Sequence, residues 1–169
     1  SEYDVANRPQ RKTVLEGTAH SYTGELVYDE FDNVKTFKEQ VGTGRTAYTT
    51  SFTHDNENRP TLMNFGGTRQ VAYTYDGLGR VSKRTVNAGG TAVTTTFGYL
   101  AGAHGTNSTT PLVRTFTQAG TTLTYDYNET GNITSINDGS KTISYVYDLL
   151  GQLTRANDPY DTTAGSNGT

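Results

Sequence analysis

Residues 73–81 read YTYDGLGRV and residues 145–153 read YVYDLLGQL, two stretches that agree at tyrosine, tyrosine, aspartate and glycine. With the aspartate as anchor, the same spacing returns in LVYDEFDNV around Asp29, FTHDNENRP around Asp55 and YDYNETGNI around Asn128. FGYLAGAHG, around Leu100, is a degenerate copy. The anchors step by 26, 21, 24, 28 and 20 residues, so the period drifts while the nine-residue signature keeps its internal spacing. That behaviour marks a repeat array whose variation lies in its connections. The opening SEYDVANRPQRKTVLEG carries Tyr3 and Asp4 in the same arrangement and is a candidate truncated seventh copy.

Each signature specifies a β-hairpin. Tyr73 and Tyr75, Tyr125 and Tyr127, and Tyr145 and Tyr147 lie two apart, which places each pair on one face of a strand. Phe52, Tyr28 and His54 hold the corresponding places in the weaker copies, and the face extends backward through Val71, Leu123 and Ile143. At the anchor, Asp or Asn opens a four-residue turn that closes on Gly79, Gly131 or Gly151, as suits a type I turn followed by a left-handed residue. Asp32 and Asn58 replace that glycine, and they enter the left-handed region more readily than other side chains do. Past the turn, Val34, Val81, Ile133 and Leu153 return an apolar side chain opposite the aromatic face. Pro60 is the uncomfortable member of this set, because it removes a strand donor.

The predicted fold is therefore all-β: consecutive antiparallel hairpins forming one long curved or spiralling sheet, with strands of roughly eight residues. No segment sustains a helical period, so little or no helix is expected. The array is read as one domain over residues 1–169, with LAGAHGTNSTTP at 100–111 as a loop insertion.

Composition agrees with this class. Hydrophobic residues make up 32% of the 169, low for a compact globule, and about a fifth of the chain is threonine, a strand-favouring residue. The net charge of −3, with 14 Lys and Arg scattered along the chain, offers no basic face for nucleic acid or anionic lipid. No apolar run approaches the roughly 20 residues of a membrane helix. The absence of cysteine leaves the compartment undetermined. A start at Ser1 and an end in the polar stretch TTAGSNGT suggest a piece of a longer polypeptide.

The recurring signature, clearest in Tyr73, Tyr75, Asp76, Gly79, Arg80 and Val81, resembles that of the YD-repeat or Rhs-repeat family. The copies at Tyr125, Tyr127, Asn128 and Gly131, and at Tyr145, Tyr147, Asp148 and Gly151, are similar with conservative exchanges, while those at Asp29 and Asp55 are weaker. The family includes bacterial Rhs and polymorphic toxins, shell subunits of insecticidal toxin complexes, wall-associated proteins and teneurins. The resemblance implies a long sheet that spirals into a hollow shell, which in the toxins encloses a C-terminal effector. It implies a bacterial secreted or cell-surface setting, with neighbouring YD repeats as partners. No segment resembles the family's self-cleaving core or a variable effector, so neither activity is assigned to these residues.

Local chemistry is weaker than this architectural signal. A row of anchors Asp29, Asp55, Asp76 and Asp148 would suggest metal ligands, but no calcium-type loop gathers oxygens at close spacing, and an Asx-turn explains each one without a metal. His20, His54 and His104 sit in unrelated contexts, with His54 at a tyrosine place. No nucleophile-and-base motif is present, and neither enzyme activity nor a cofactor is expected. The tyrosines allow an alternative reading as an adhesive or carbohydrate-binding module, although cross-strand packing accounts for the same spacing. Exposed sheet edges would further allow self-association.

Overall fold

The computed structural model of the protein describes residues 1–88, 91–102 and 108–160, and the candidate His104 falls outside them. The described residues form fourteen β-strands and no helix. The chain divides into two compact units, Ser1–Val93 and Thr94–Thr169.

The first unit holds β1 (Glu2–Tyr3), β2 (Pro9–Val14), β3 (Tyr22–Tyr28), β4 (Val34–Val41), β5 (Tyr48–His54), β6 (Pro60–Asn64), β7 (Gln70–Tyr75) and β8 (Val81–Ala88). Each of these pairs antiparallel with the next, in chain order. The second unit holds most of β9 (Thr91–Ala101), then β10 (Thr109–Gln118), β11 (Thr121–Tyr127), β12 (Ile133–Asn137), β13 (Thr142–Tyr147) and β14 (Leu153–Asn157), again paired in sequence. Most strands run five to eight residues, at or below the roughly eight expected, while β9 and β10 run eleven and ten. Of the stretch 100–111, Leu100 and Ala101 end β9 and Thr109–Pro111 open β10, with Gly102 N–H donating to the Ser108 carbonyl at 2.8 Å between them. Residues 103–107 of that stretch lie outside the described residues.

Strand alternation separates two chemistries. On one face apolar side chains meet across the ladders: Leu26 opposite Phe37, Phe52 opposite Met63, Met63 opposite Val71 and Val71 opposite Val86. In the second unit Phe97 opposes Phe116, their rings edge-on at 5.7 Å, and Tyr125, Ile136 and Ile143 form a further cross-strand row. The opposite face is polar, with Glu25 lying 3.6 Å from Arg11 and 3.3 Å from Lys38 on the flanking strands. No hydrophobic residue is buried among those described, and the one fully buried side chain is Thr95. Within each unit, stability must therefore come from ladders and half-covered rows rather than from a closed core.

The two-residue connection from β10 to β11 is tight. Gln118 pairs with Thr121, while Ala119 and Gly120 both take positive φ, 51° and 84°, as a type I′ turn requires. The alanine bears the steric cost there that glycine avoids.

Candidate functional site

The repeated feature with specific chemistry is the hairpin tip and its contact with the next hairpin. At Asp76, Oδ1 accepts the N–H groups of Leu78 at 2.9 Å and Arg80 at 3.0 Å. The Asp76 N–H donates to the Arg80 carbonyl at 2.8 Å and the Gly79 N–H donates to the Asp76 carbonyl at 3.0 Å. The same pair of side-chain acceptances occurs at Asp29, Asp55, Asn128 and Asp148, and also at Asp4 in the first hairpin. Asn128 does this as well as aspartate because only one oxygen is needed.

The residue three past each anchor is left-handed throughout. Gly79, Gly131 and Gly151 have φ of 80°, 85° and 77°, while Asn7, Asp32 and Asn58 occupy the same region at 61°, 66° and 61°. A register shift follows each tip, so that Tyr28 comes to face Val34, Tyr75 faces Val81, Tyr127 faces Ile133 and Tyr147 faces Leu153. These are the returning residues expected from the sequence.

The second carboxylate oxygen recruits the residue four past the anchor. Arg8 Nε reaches Asp4 Oδ2 at 2.6 Å, Arg59 Nε reaches Asp55 Oδ2 at 2.8 Å and Arg80 Nε reaches Asp76 Oδ2 at 2.7 Å. The Arg80 guanidinium holds the Asp76 carboxyl below the usual carboxylate range, helped by the backbone N–H groups and opposed by partial withdrawal from water. At Asp29 the corresponding residue is neutral, and Asn33 Nδ2 donates to Oδ2 at 3.2 Å.

The two tyrosines of the signature have different work. The one immediately before the anchor reaches back to the preceding hairpin. Tyr28 donates its hydroxyl to the Pro9 carbonyl at 2.8 Å and Tyr75 to that of Pro60 at 2.7 Å. Tyr127 and Tyr147 do the same to Val113 at 2.6 Å and Ile133 at 2.9 Å. Burial raises the pKa of both Tyr75 and Tyr127. Over the rings lie the arginines of the preceding tips, Arg8 at 4.4 Å from the Tyr28 centroid and Arg59 at 4.6 Å from that of Tyr75. Each such arginine thus closes its own turn and covers the next repeat's tyrosine. The Pro9 and Pro60 carbonyls are the groups these hydroxyls use, and Pro60 keeps its place opposite His54 in the ladder without an N–H to donate.

The tyrosines three before the anchor, Tyr73, Tyr125 and Tyr145, stand half-buried on the apolar face, and their hydroxyls make no hydrogen bond among the described residues. Phe52, at the same position, needs none. His54 takes the place of a backward-reaching tyrosine, with Nδ1 at 3.9 Å from Asp29 Oδ2. No group of three or more His, Asp or Glu side chains is placed to hold a metal among the described residues. Sequence reasoning missed the arginine that spans two repeats. Its signal was present in the chain, since Arg8, Arg59 and Arg80 share one spacing from their anchors.

No protein-family model and no curated protein matches the chain. Among solved structures, it is similar to TcdB2-TccC3 without its hypervariable C-terminal region, with a TM-score of 0.64 and 15% identity over 90% of this chain and 9% of that one. It is also similar to TcdB2-TccC3-Cdc42, with a TM-score of 0.50 and 17% identity over 91% of this chain and 10% of that one. The chain spans about a tenth of the length of these solved chains. What is shared at such identity is the fold.

Proposed function

We propose that the protein is a structural segment of a hollow YD-repeat β-shell in a bacterial secreted or cell-surface protein, building part of a wall that encloses a C-terminal effector. It acts by packing rather than by catalysis. The observation that carries this reading is the backward hydrogen bond of Tyr28, Tyr75, Tyr127 and Tyr147, which fastens one hairpin to the one before it. An array fastened in this way extends with each added repeat, and a wall needs that property. The shared fold with TcdB2-TccC3 supports the same reading. A glycan-binding role would use free tyrosine faces and hydroxyls. The covering of Tyr28 and Tyr75 by Arg8 and Arg59, with the hydroxyls of Tyr28, Tyr75, Tyr127 and Tyr147 committed, favours the wall, and a glycan would have to use Tyr73, Tyr125 and Tyr145 instead.

Protease protection of the full-length polypeptide tests the proposal. The region C-terminal to the repeats is expected to resist added protease in the native protein and to be digested once the sheet is unfolded. Equally fast digestion of that region in both states would overturn the enclosing role.

A further inference from the structure

The tip-to-tyrosine contact loses both its side chains at the junction between the hairpin of Asp29 and that of Asp55, whereas at the tip of Asn128 only the arginine is replaced, by Asn132, and Tyr147 keeps its backward bond. At the Asp29 junction His54 replaces the backward-reaching tyrosine and Asn33 replaces the arginine of the preceding tip. Two groups are left short of the partners their counterparts have. The Val34 carbonyl, which corresponds to those of Pro9 and Pro60, receives no side-chain donor among the described residues. The Asp29 carboxylate has the Asn33 amide at 3.2 Å where Asp4 and Asp55 have guanidinium groups, and His54 Nδ1 stops 3.9 Å away. The shorter side chains leave an open groove of about 500 Å³ lined by Leu26, Val34, Phe37, Phe52, Pro60 and Met63, with Asn33 and His54 also bordering it.

We infer that this groove is a docking site for a tyrosine side chain with a basic residue beside it, presented by a partner polypeptide. The occupant is fixed by the chain's own pattern. At the junctions on either side, a phenol ring lies beside the returning strand, its hydroxyl donates to one carbonyl, and a guanidinium joins the ring to the anchor carboxylate. A guest tyrosine would set its ring against Phe52 and Met63 and donate to Val34, and its basic neighbour would pair with Asp29. Charge complementarity supports the choice, because Asp29 has no arginine from its own turn. The inference does not depend on the wall role, since it concerns a local gap in the repeat.

Met63 is the only methionine of the chain, so its methyl group gives a single reporter inside the groove. The intact chain, labelled with ¹³C at the methionine methyl, is titrated with N-acetyl-Tyr-Arg-amide and followed by NMR. A saturable shift of the Met63 signal is expected. N-acetyl-Phe-Arg-amide should bind about five-fold more weakly, as one lost neutral hydrogen bond implies, and N-acetyl-Tyr-Glu-amide more weakly still. His54→Tyr installs the repeat's own residue and should abolish binding, and Asn33→Arg should weaken it by occupying Asp29. No shift with the Tyr-Arg peptide, equal binding of the three peptides, or undiminished binding to folded His54→Tyr would each overturn the inference.

Discussion

The hydroxyl of Tyr75 donates to the carbonyl of Pro60 across 2.7 Å, joining one hairpin to the returning strand of the hairpin before it. The same relationship between Tyr28 and Pro9 shows that it belongs to the repeat. A turn formed only from local bonds would fold each hairpin but would not set its distance from the next one. The ladder between hairpins, such as Leu62 opposite Ala72, sets that distance, and the tyrosine hydroxyl and the arginine above its ring tie side chains across it, so they are the natural targets for mutation.

Removing the backward bond should weaken the array while sparing its hairpins. Tyr75→Phe and Tyr147→Phe are each expected to cost about 1 kcal/mol, the net value of one hydrogen bond, and to add because they lie in different units. Tyr145→Phe, which loses no hydrogen bond, should stay within about 0.5 kcal/mol of the parent. Urea unfolding of the three variants checks the ordering.

The left-handed tip position separates glycine from other residues. Gly79→Ala places a Cβ at φ 80° and 3.1 Å from Arg59 Nη1, and should destabilise by about 1–2 kcal/mol, chiefly through the backbone because the arginine tip can move. Asn7→Gly, at a position already left-handed with φ 61°, should change stability by less. Thermal unfolding of both variants decides the matter.

Acid should loosen the tips in a defined window. The Arg80 guanidinium lowers Asp76 from the ordinary value of 3.8, and the Tyr160 hydroxyl, with the N–H groups of Lys141 and Ser140, brings Asp138 down to about 2. Both groups bind protons more readily in the unfolded chain. Their contribution is therefore complete above the ordinary carboxylate range and is lost as pH falls from about 4 towards 2. The melting temperature should be flat with respect to these groups between pH 7 and 5 and fall below 4, with a shallower acid slope in Asp138→Asn.

The edge at β14 should pair with other strands. Among the described residues its five members are all exposed and pair only with β13. Light scattering should show concentration-dependent association of the isolated chain. Ala156→Lys, which sets a charge on the face shared with Tyr145, should reduce it. A strict monomer at high concentration would contradict the prediction.

The hairpins were legible in the sequence because each tip is determined by local chemistry. An Asp or Asn acceptor, a left-handed residue three later and alternating aromatics all act within nine residues, so one copy contains its own instructions. The contacts between copies were less legible. Tyr73 and Tyr75 look equivalent in a sequence, but only the second stands next to the turn, where its hydroxyl reaches the Pro60 carbonyl. The dual role of Arg59 likewise depends on the lateral distance between hairpins, which local spacing does not encode. The groove beside His54 could be read only after the neighbouring junctions had shown what normally fills that place. Composition announced the lack of a buried core, since 32% hydrophobic residues can cover one face of a sheet without closing over it.

The most direct test of the account is a single-particle reconstruction of the full-length polypeptide containing this chain. The account predicts that the hairpins of the described residues form consecutive rungs of a wall around an enclosed lumen, with Tyr75 bonded to Pro60 and Tyr147 to Ile133 as they are here. A reconstruction in which these hairpins border no cavity, or in which the tyrosine-to-carbonyl bonds are replaced by another packing of the repeats, would contradict it.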